Sequence, residues 1–164
     1  MKKLSNVLIF VLLMGCQFFM LGYRYKLVDE DEYYHFIQLF QTVINYKLVL
    51  IMLILFIIAT VSFFVYFSLK FYLIIANKVL NLQLNAHFVY YLVSINLIIT
   101  AFQVLIQEII SKNLLLSLYL NPLVLLSITI IFILLIYKTK RVLNSLLLSM
   151  LFYIVNIFIT LIFV

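Results

Sequence analysis

Five long apolar runs dominate the chain, and short polar or charged segments separate them. A helix needs about 20 apolar residues to cross a bilayer, and lipid leaves the backbone of an isolated span no alternative to helix. The pattern therefore predicts an all-α fold: a polytopic integral membrane helix bundle of about five transmembrane helices, forming a single transmembrane domain over residues 1–164. The predicted spans are 4–22, 48–69, 87–106, 115–137 and 142–164.

The longest polar segment follows the first span and has a helical pattern of its own. Its apolar side chains recur at spacings of three, one, three and four residues, which is typical of a helix with one apolar face; they are Tyr33, Phe36, Ile37, Phe40 and Ile44. The acids 29–32 stand where negative charge favours the start of a helix. We expect a short extracytoplasmic amphipathic helix within 29–46, which either lies on the outer membrane surface or covers the outer end of the bundle. The later loop 77–86 is a second candidate for a short interfacial helix.

Composition narrows the class of protein. The chain is 68% hydrophobic and 10% charged, whereas soluble domains average about half apolar and about a quarter charged. This argues against a soluble enzyme, a disordered tail and a disulfide scaffold, and favours a protein embedded in the lipid bilayer. The net charge of +6 comes from eleven cations scattered singly or in pairs, so we expect no nucleic-acid partner. The heavy use of Phe, Ile, Leu, Tyr, Asn and Lys indicates an AT-rich coding genome, which favours a low-GC bacterium.

The placement of the cations predicts the orientation of the bundle. With the N-terminus in the cytoplasm, seven of the eleven cations face inward and four face outward, as the positive-inside rule favours. The inward cations are Lys2, Lys3, Lys70, Lys78, Lys138, Lys140 and Arg141, and the outward cations are Arg24, Lys26, Lys47 and Lys112. We expect a bacterial cytoplasmic membrane protein with its N-terminus inside and its C-terminus outside.

Two interpretations of the first span stay open. A pair of lysines, an apolar run and the sequence LMGC at 13–16 resemble a bacterial lipoprotein signal, whose cleavage would leave a lipid on Cys16. Against this, Met14 stands where a small or β-branched residue is usual, and 18–21 continue the apolar run beyond the length of a secretory core. We favour a retained first span. As the single cysteine, Cys16 forms no internal disulfide.

Two of the spans carry uncharged polar side chains on one helical face. At about 100° per residue, each set falls within roughly 60°. The sets are Asn96, Thr100, Gln103 and Gln107 in the third span and Ser145, Ser149, Asn156 and Thr160 in the fifth. Polar side chains at membrane depth face protein or water, so these are candidate helix-interface or ligand-facing residues. They either form interhelical hydrogen bonds, which we favour, or line a polar cleft for a ligand or a partner helix.

Groups that could carry catalysis or hold a metal are sparse in this sequence. His35 and His87 fall on opposite sides of the membrane in this topology, so they cannot share a metal ion. We interpret the acids 29–32 as a solvated helix start rather than a cation site, and Glu108 as an interfacial residue that pairs with Lys112. The sequence has no nucleophile with an adjacent base and no phosphate-binding loop, so we expect no enzyme activity and no cofactor.

Local signals place the start of the fourth helix and its relation to the fifth. Proline is tolerated in the first helical turn, so the regular part of the fourth helix is expected to begin near Pro122, with Asn121 as its N-cap. The short basic turn 138–141 makes the fourth and fifth helices antiparallel neighbours.

The order of these elements resembles the bacterial branch of the Yip (Ypt-interacting protein) family. The segment Ala76–Asn81 looks like the inner loop of that family, and Lys138–Leu147 looks like its final basic turn and helix start. The resemblance covers nearly the whole chain, as a layout rather than as a motif. It implies five spans, a cytoplasmic N-terminus, no catalytic residues and a membrane protein that acts through partners, often beside transporters in bacteria.

Together these patterns favour a non-enzymatic accessory membrane protein. It would bind another membrane protein, either a transporter such as an ABC exporter or a second copy of itself, or would give immunity against a membrane-active peptide. The alternative is the substrate-binding membrane subunit of a small-molecule, vitamin-type transporter. Such a subunit needs converging aromatic and polar groups, which Tyr90, Tyr91, Asn96 and Gln103 could supply. A membrane enzyme is the least favoured class.

Overall fold

The computed structural model describes residues 2–28, 34–35, 38, 46–103, 105–106 and 119–163. This part of the chain is helical apart from short connections and contains no strand, which confirms the all-α class. Its longer helices are α1 (Lys2–Val28), α2 (Tyr46–Ile74), α3 (Ala86–Ala101), α4 (Pro122–Thr139) and α5 (Val142–Phe163). A π-helical turn, Ile75–Val79, continues α2.

Two helices of the described residues are long and apolar enough to cross a membrane. They are Lys47–Val79, with 33 residues, and Pro122–Thr139, with 18. Shorter apolar helical stretches occupy Leu4–Met20, Ala86–Ala101 and Val142–Phe158. The predicted outer segment 29–46 lies outside the described residues except for Tyr34, His35, Gln38 and Tyr46. Of the predicted fourth span, 115–118 also lie outside them.

The chain divides into two compact units, Met1–Tyr66 and Phe67–Val164. In the first unit, α1 and the start of α2 expose most of their apolar side chains. Two hydroxyls of α2 bond back to their own helix: Thr60 Oγ1 donates to the Phe56 carbonyl at 2.9 Å, and Ser62 Oγ to the Ile58 carbonyl at 2.6 Å. Bonds of this kind satisfy a hydroxyl without a partner helix, so they suit a helix that faces lipid.

In the second unit, α4 packs against both α3 and α5. The short turn before α5 therefore joins neighbouring helices, as its length predicts. The buried core of this unit consists of Tyr72, Ala76, Leu82, Leu84, Val89, Leu92, Val93, Ile131, Leu135, Leu148 and Phe152. Within the core, the rings of Tyr72 and Phe152 stack with centroids 3.7 Å apart and planes 2° from parallel. This stack joins the end of α2 to the middle of α5.

Asparagine side chains begin two of the helices in the second unit. Asn121 Oδ1 accepts from the Leu123 N–H at 3.1 Å, and Pro122 occupies the first turn, which confirms the predicted start of α4. Asn85 Oδ1 accepts from the Phe88 N–H at 2.8 Å at the start of α3. These caps satisfy backbone donors that have no partner within their own helices.

The ends of α3 and α4 differ from one another. Helix α3 ends at Ala101, short of the predicted limit at 106, because the Phe102 N–H turns to the Ile99 and Thr100 carbonyls; residues 105–106 are again helical. Helix α4 ends at Thr139 and is capped by Lys140, whose φ of 56° places it in the left-handed region. The Lys140 N–H donates to the Ile136 carbonyl at 2.8 Å, a helix-ending bond for which glycine is the commonest residue.

Candidate functional site

The buried centre of the second unit contains a polar junction of three helices. Asn96 on α3 and Asn156 on α5 exchange side-chain hydrogen bonds: Asn96 Nδ2 donates to Asn156 Oδ1 at 3.1 Å, and Asn156 Nδ2 donates to Asn96 Oδ1 at 2.9 Å. On α4, the Ser127 hydroxyl lies 3.0 Å from Asn96 Oδ1 and 2.8 Å from the Val124 carbonyl oxygen. We call Asn96, Ser127 and Asn156 the polar junction.

The polar junction is closed to solvent. Asn96 is 6% exposed, Asn156 is 7% exposed and Ser127 is fully buried. Because each amide is both a donor and an acceptor for the other, the junction satisfies buried polar groups within the protein. This arrangement is typical of interhelical hydrogen bonding rather than of a cleft that waits for a ligand.

The other residues of the two predicted polar faces are placed differently. The Thr100 hydroxyl bonds to the Asn96 carbonyl at 2.8 Å, and the Ser149 hydroxyl bonds to the Ser145 carbonyl at 2.8 Å, each within its own helix. The buried Ser145 hydroxyl lies 3.0 Å from the hydroxyl of Thr139, which ends α4. Gln103 is half-buried just after α3. Gln107 and the side chain of Thr160 lie outside the described residues.

Ser127 belongs to the polar junction but is not among the candidate residues predicted from the sequence. It is one of two polar side chains in 123–136, and the other, Thr129, is exposed and bonds to the Leu125 carbonyl of its own helix. The sequence does carry a signal for Ser127, because helical spacing puts it on the same face as the apolar residues Val124, Ile131 and Leu135, which are buried.

A second polar cluster closes one end of the second unit, where 80–85 connect the π-helical turn to α3. The Asn77 side chain forms two bonds with Leu84: its Nδ2 donates to the Leu84 carbonyl at 2.8 Å, and its Oδ1 accepts from the Leu84 N–H at 2.7 Å. Asn81 and Gln83 take the left-handed φ values of 50° and 52°. The interfacial helix considered for 77–86 is therefore not formed; the chain turns, and Leu82 and Leu84 enter the core.

Two long-range bonds tie this connection to the turn between α4 and α5. A terminal guanidinium nitrogen of Arg141 donates to the Asn81 carbonyl at 2.7 Å, and Asn144 Nδ2 donates to the Leu80 carbonyl at 2.7 Å. At the turn itself, the Arg141 N–H donates to the Thr139 hydroxyl at 3.3 Å. The loops before α3 and before α5 thus form one hydrogen-bonded end.

Replacing Asn77 tests how far this end stabilises the second unit. Asn77→Ala removes both bonds to Leu84, and we expect it to lower the free energy of unfolding by about 1–2 kcal/mol, at about 1 kcal/mol for each bond. Lys78→Ala, at the exposed next position, is the matched control and should change stability by less than about 0.5 kcal/mol. Thermal unfolding of the detergent-solubilised chain, followed by helical circular dichroism, measures both. Equal stability of the two variants would contradict the role assigned to Asn77.

The remaining candidate groups are dispersed. Cys16 is half-buried within α1. His87 packs edge-on against Tyr91 with ring centroids 4.5 Å apart, while His35 is exposed. Within the described ranges, no three His, Cys, Asp or Glu side chains are grouped closely enough to hold a metal ion. An open apolar face on α2, lined by Val49, Met52, Leu53, Leu55 and Phe56, has no polar group to orient a ligand.

In comparisons with known proteins, the chain matches no protein-family model, no curated protein and no solved structure.

Proposed function

We propose that this chain is a non-enzymatic accessory protein of a membrane and acts through a partner membrane protein. The partner is a transporter such as an ABC exporter, or the chain protects the cell against a membrane-active peptide. The observation that carries the proposal is the closed polar junction, because its three buried side chains on α3, α4 and α5 bond to one another. The exposed apolar side chains of α2 supply surface for lipid or protein instead.

The vitamin-type transport subunit has less support. Asn96, the polar group that it would use at the centre of the bundle, already bonds to Asn156 and Ser127. A substrate would have to break these bonds before it could use them. The resemblance of the predicted layout to the Yip family, whose members act through partners, agrees with the accessory role.

We further propose five spans in a bacterial cytoplasmic membrane, with the N-terminus inside. We also propose that the first span is retained, without cleavage before Cys16. Support comes from the hydrogen-bonded end of the second unit, where Arg141 bonds to the Asn81 carbonyl. This bond holds the cations of two separate loops at one end, which the positive-inside rule assigns to the cytoplasm.

Labelling of single cysteines tests this topology. In a Cys16→Ser background, we expect a membrane-impermeant maleimide to label Tyr34→Cys in intact cells, because the loop after the first span is outside. Lys140→Cys should react only after the cells are permeabilised. The reverse pattern would overturn the orientation, and labelling of both positions in intact cells would overturn the number of spans between them.

Affinity purification of the tagged full chain in mild detergent, followed by quantitative mass spectrometry, tests the proposed function. We expect one membrane protein to co-purify in a fixed ratio, and tagging that protein should recover this chain. The exposed-site variant Phe158→Ala should retain the partner, whereas the core variant Phe152→Ala should lose it. Recovery of a bound small molecule without a partner protein would favour the transport subunit and overturn the proposal.

A further inference from the structure

Four cations gather at the hydrogen-bonded end of the second unit. We call this set the basic end: Lys78, Lys138, Lys140 and Arg141, all of them exposed. Lys78 belongs to the π-helical turn, and the other three belong to the end of α4 and the turn before α5. The bond from Arg141 to the Asn81 carbonyl brings these two parts of the chain together.

The backbone beneath the basic end is held by hydrogen bonds. Asn77 bonds twice to Leu84, Asn144 bonds to the Leu80 carbonyl, and the Lys140 N–H closes the end of α4. The backbone that carries the cations is therefore already ordered, and ligand binding has to order only their side chains. A guanidinium has five N–H donors, so Arg141 can bond to Asn81 and still offer donors to an anion.

The segments of the chain that form this end contain no acidic residue. All five acids of the chain are at 29–32 and at 108, so the segments 67–107 and 109–164 contain cations but no carboxylate side chain. Exposed apolar side chains stand directly beside the cations: Val79, Tyr137, Val142 and Leu143. Tyr137 is the most exposed of them, at 87%. Cations, a tyrosine and exposed aliphatic groups side by side are the composition of a membrane–water interface.

We propose that the basic end binds the phosphate groups of anionic phospholipids. Arginine engages phosphate through paired N–H donors, and lysines add point charges around it. A free phosphate would satisfy the same cations, but it would leave Val79, Tyr137 and Val142 in water, whereas a lipid covers them with acyl chain and headgroup. The inference rests on the proposed membrane location and adds selectivity for anionic lipid at this end of the bundle.

Tryptophan quenching in vesicles tests the proposal, because the chain has no native tryptophan. Tyr137→Trp places one fluorophore beside the basic end of the full-length chain. The protein is reconstituted in mixed phosphatidylglycerol and phosphatidylcholine vesicles in which one of the two lipids is brominated. We expect brominated phosphatidylglycerol to quench more strongly, with a relative binding constant of about 3–5 over phosphatidylcholine.

Adding Lys138→Gln and Lys140→Gln should reduce this constant to about 1–2, since two of the four charges are lost. Arg141 is kept in this variant so that its bond to Asn81 is preserved. Lys47→Gln, which neutralises an exposed cation of the first unit, is the matched control and should leave the constant unchanged.

Each further outcome has a separate meaning. Equal quenching by both lipids in the unsubstituted basic end would overturn the proposed selectivity while leaving the membrane location intact. Absence of quenching by either lipid would contradict the membrane location itself. Loss of the preference in millimolar inorganic phosphate, but not in sodium chloride of equal ionic strength, would identify a free-phosphate site and overturn the assignment to lipid.

Discussion

Phe152→Ala is expected to lower the free energy of unfolding of the second unit by about 3–5 kcal/mol. The Phe152 side chain is 1% exposed, and its ring stacks on Tyr72 with 3.7 Å between centroids. Truncation removes the stack and leaves a cavity between the end of α2 and α5, which their backbones can close only in part. The variant therefore loses packing that contacts elsewhere in the core do not replace.

The chain offers a matched control on the same helix. Phe158 is 62% exposed, so Phe158→Ala should change stability by less than about 0.5 kcal/mol. Denaturation of the two variants in mixed micelles, with a denaturing detergent as titrant and circular dichroism as readout, gives the difference. If both variants lost the same amount of stability, the buried Tyr72–Phe152 stack would not be what holds α2 to α5.

The positions of the helices in the second unit can be predicted from the sequence, because the signals that mark them are local. Apolar runs predict where helices lie, Pro122 and Asn121 mark the start of α4, and the short turn 138–141 makes α4 and α5 neighbours. These signals use only neighbouring residues and the chemistry of lipid, so no knowledge of the tertiary structure is needed.

The connection before α3 could not be predicted in the same way. Its shape depends on the paired bonds between Asn77 and Leu84 and on left-handed backbone at Asn81 and Gln83. Glycine is the usual sequence signal for left-handed backbone, and neither position has it. Asparagine tolerates this conformation better than most residues, but glutamine carries no such signal, so tertiary contacts decide the turn.

The sequence predicts which polar side chains share a helical face, but it does not predict which of them bond to another helix. Asn96 and Asn156 meet, whereas Thr100 and Ser149 bond to carbonyls of their own helices. A hydroxyl can reach the carbonyl one turn earlier, so a Ser or Thr on a membrane helix indicates an interhelical contact less strongly than an Asn does. The longer amide presents a donor and an acceptor that its own helix satisfies less readily.

Asn96→Leu is expected to lower the free energy of unfolding by about 2–3 kcal/mol. Leucine branches at the same carbon as asparagine, so the change removes hydrogen bonds with little change in shape. It takes away both bonds to Asn156 and one acceptor of Ser127, and buried polar groups that lose their partners cost about 1–3 kcal/mol. Ser127 contributes little to this loss, because its hydroxyl still reaches the Val124 carbonyl.

The double variant Asn96→Leu/Asn156→Leu separates the two interpretations of the polar junction. Where two side chains serve each other, replacing both is less costly than the sum of the single changes, and we expect a coupling free energy of about 1 kcal/mol in detergent unfolding. In an open polar cleft, water or a ligand would take the place of either amide, and the two costs would simply add. Additive costs, together with loss of a co-purifying small molecule in either single variant, would therefore identify the polar junction as a binding site and not as a contact between helices. A measured coupling would show that Asn96 and Asn156 stabilise the fold by bonding to each other, as a contact between α3 and α5 requires.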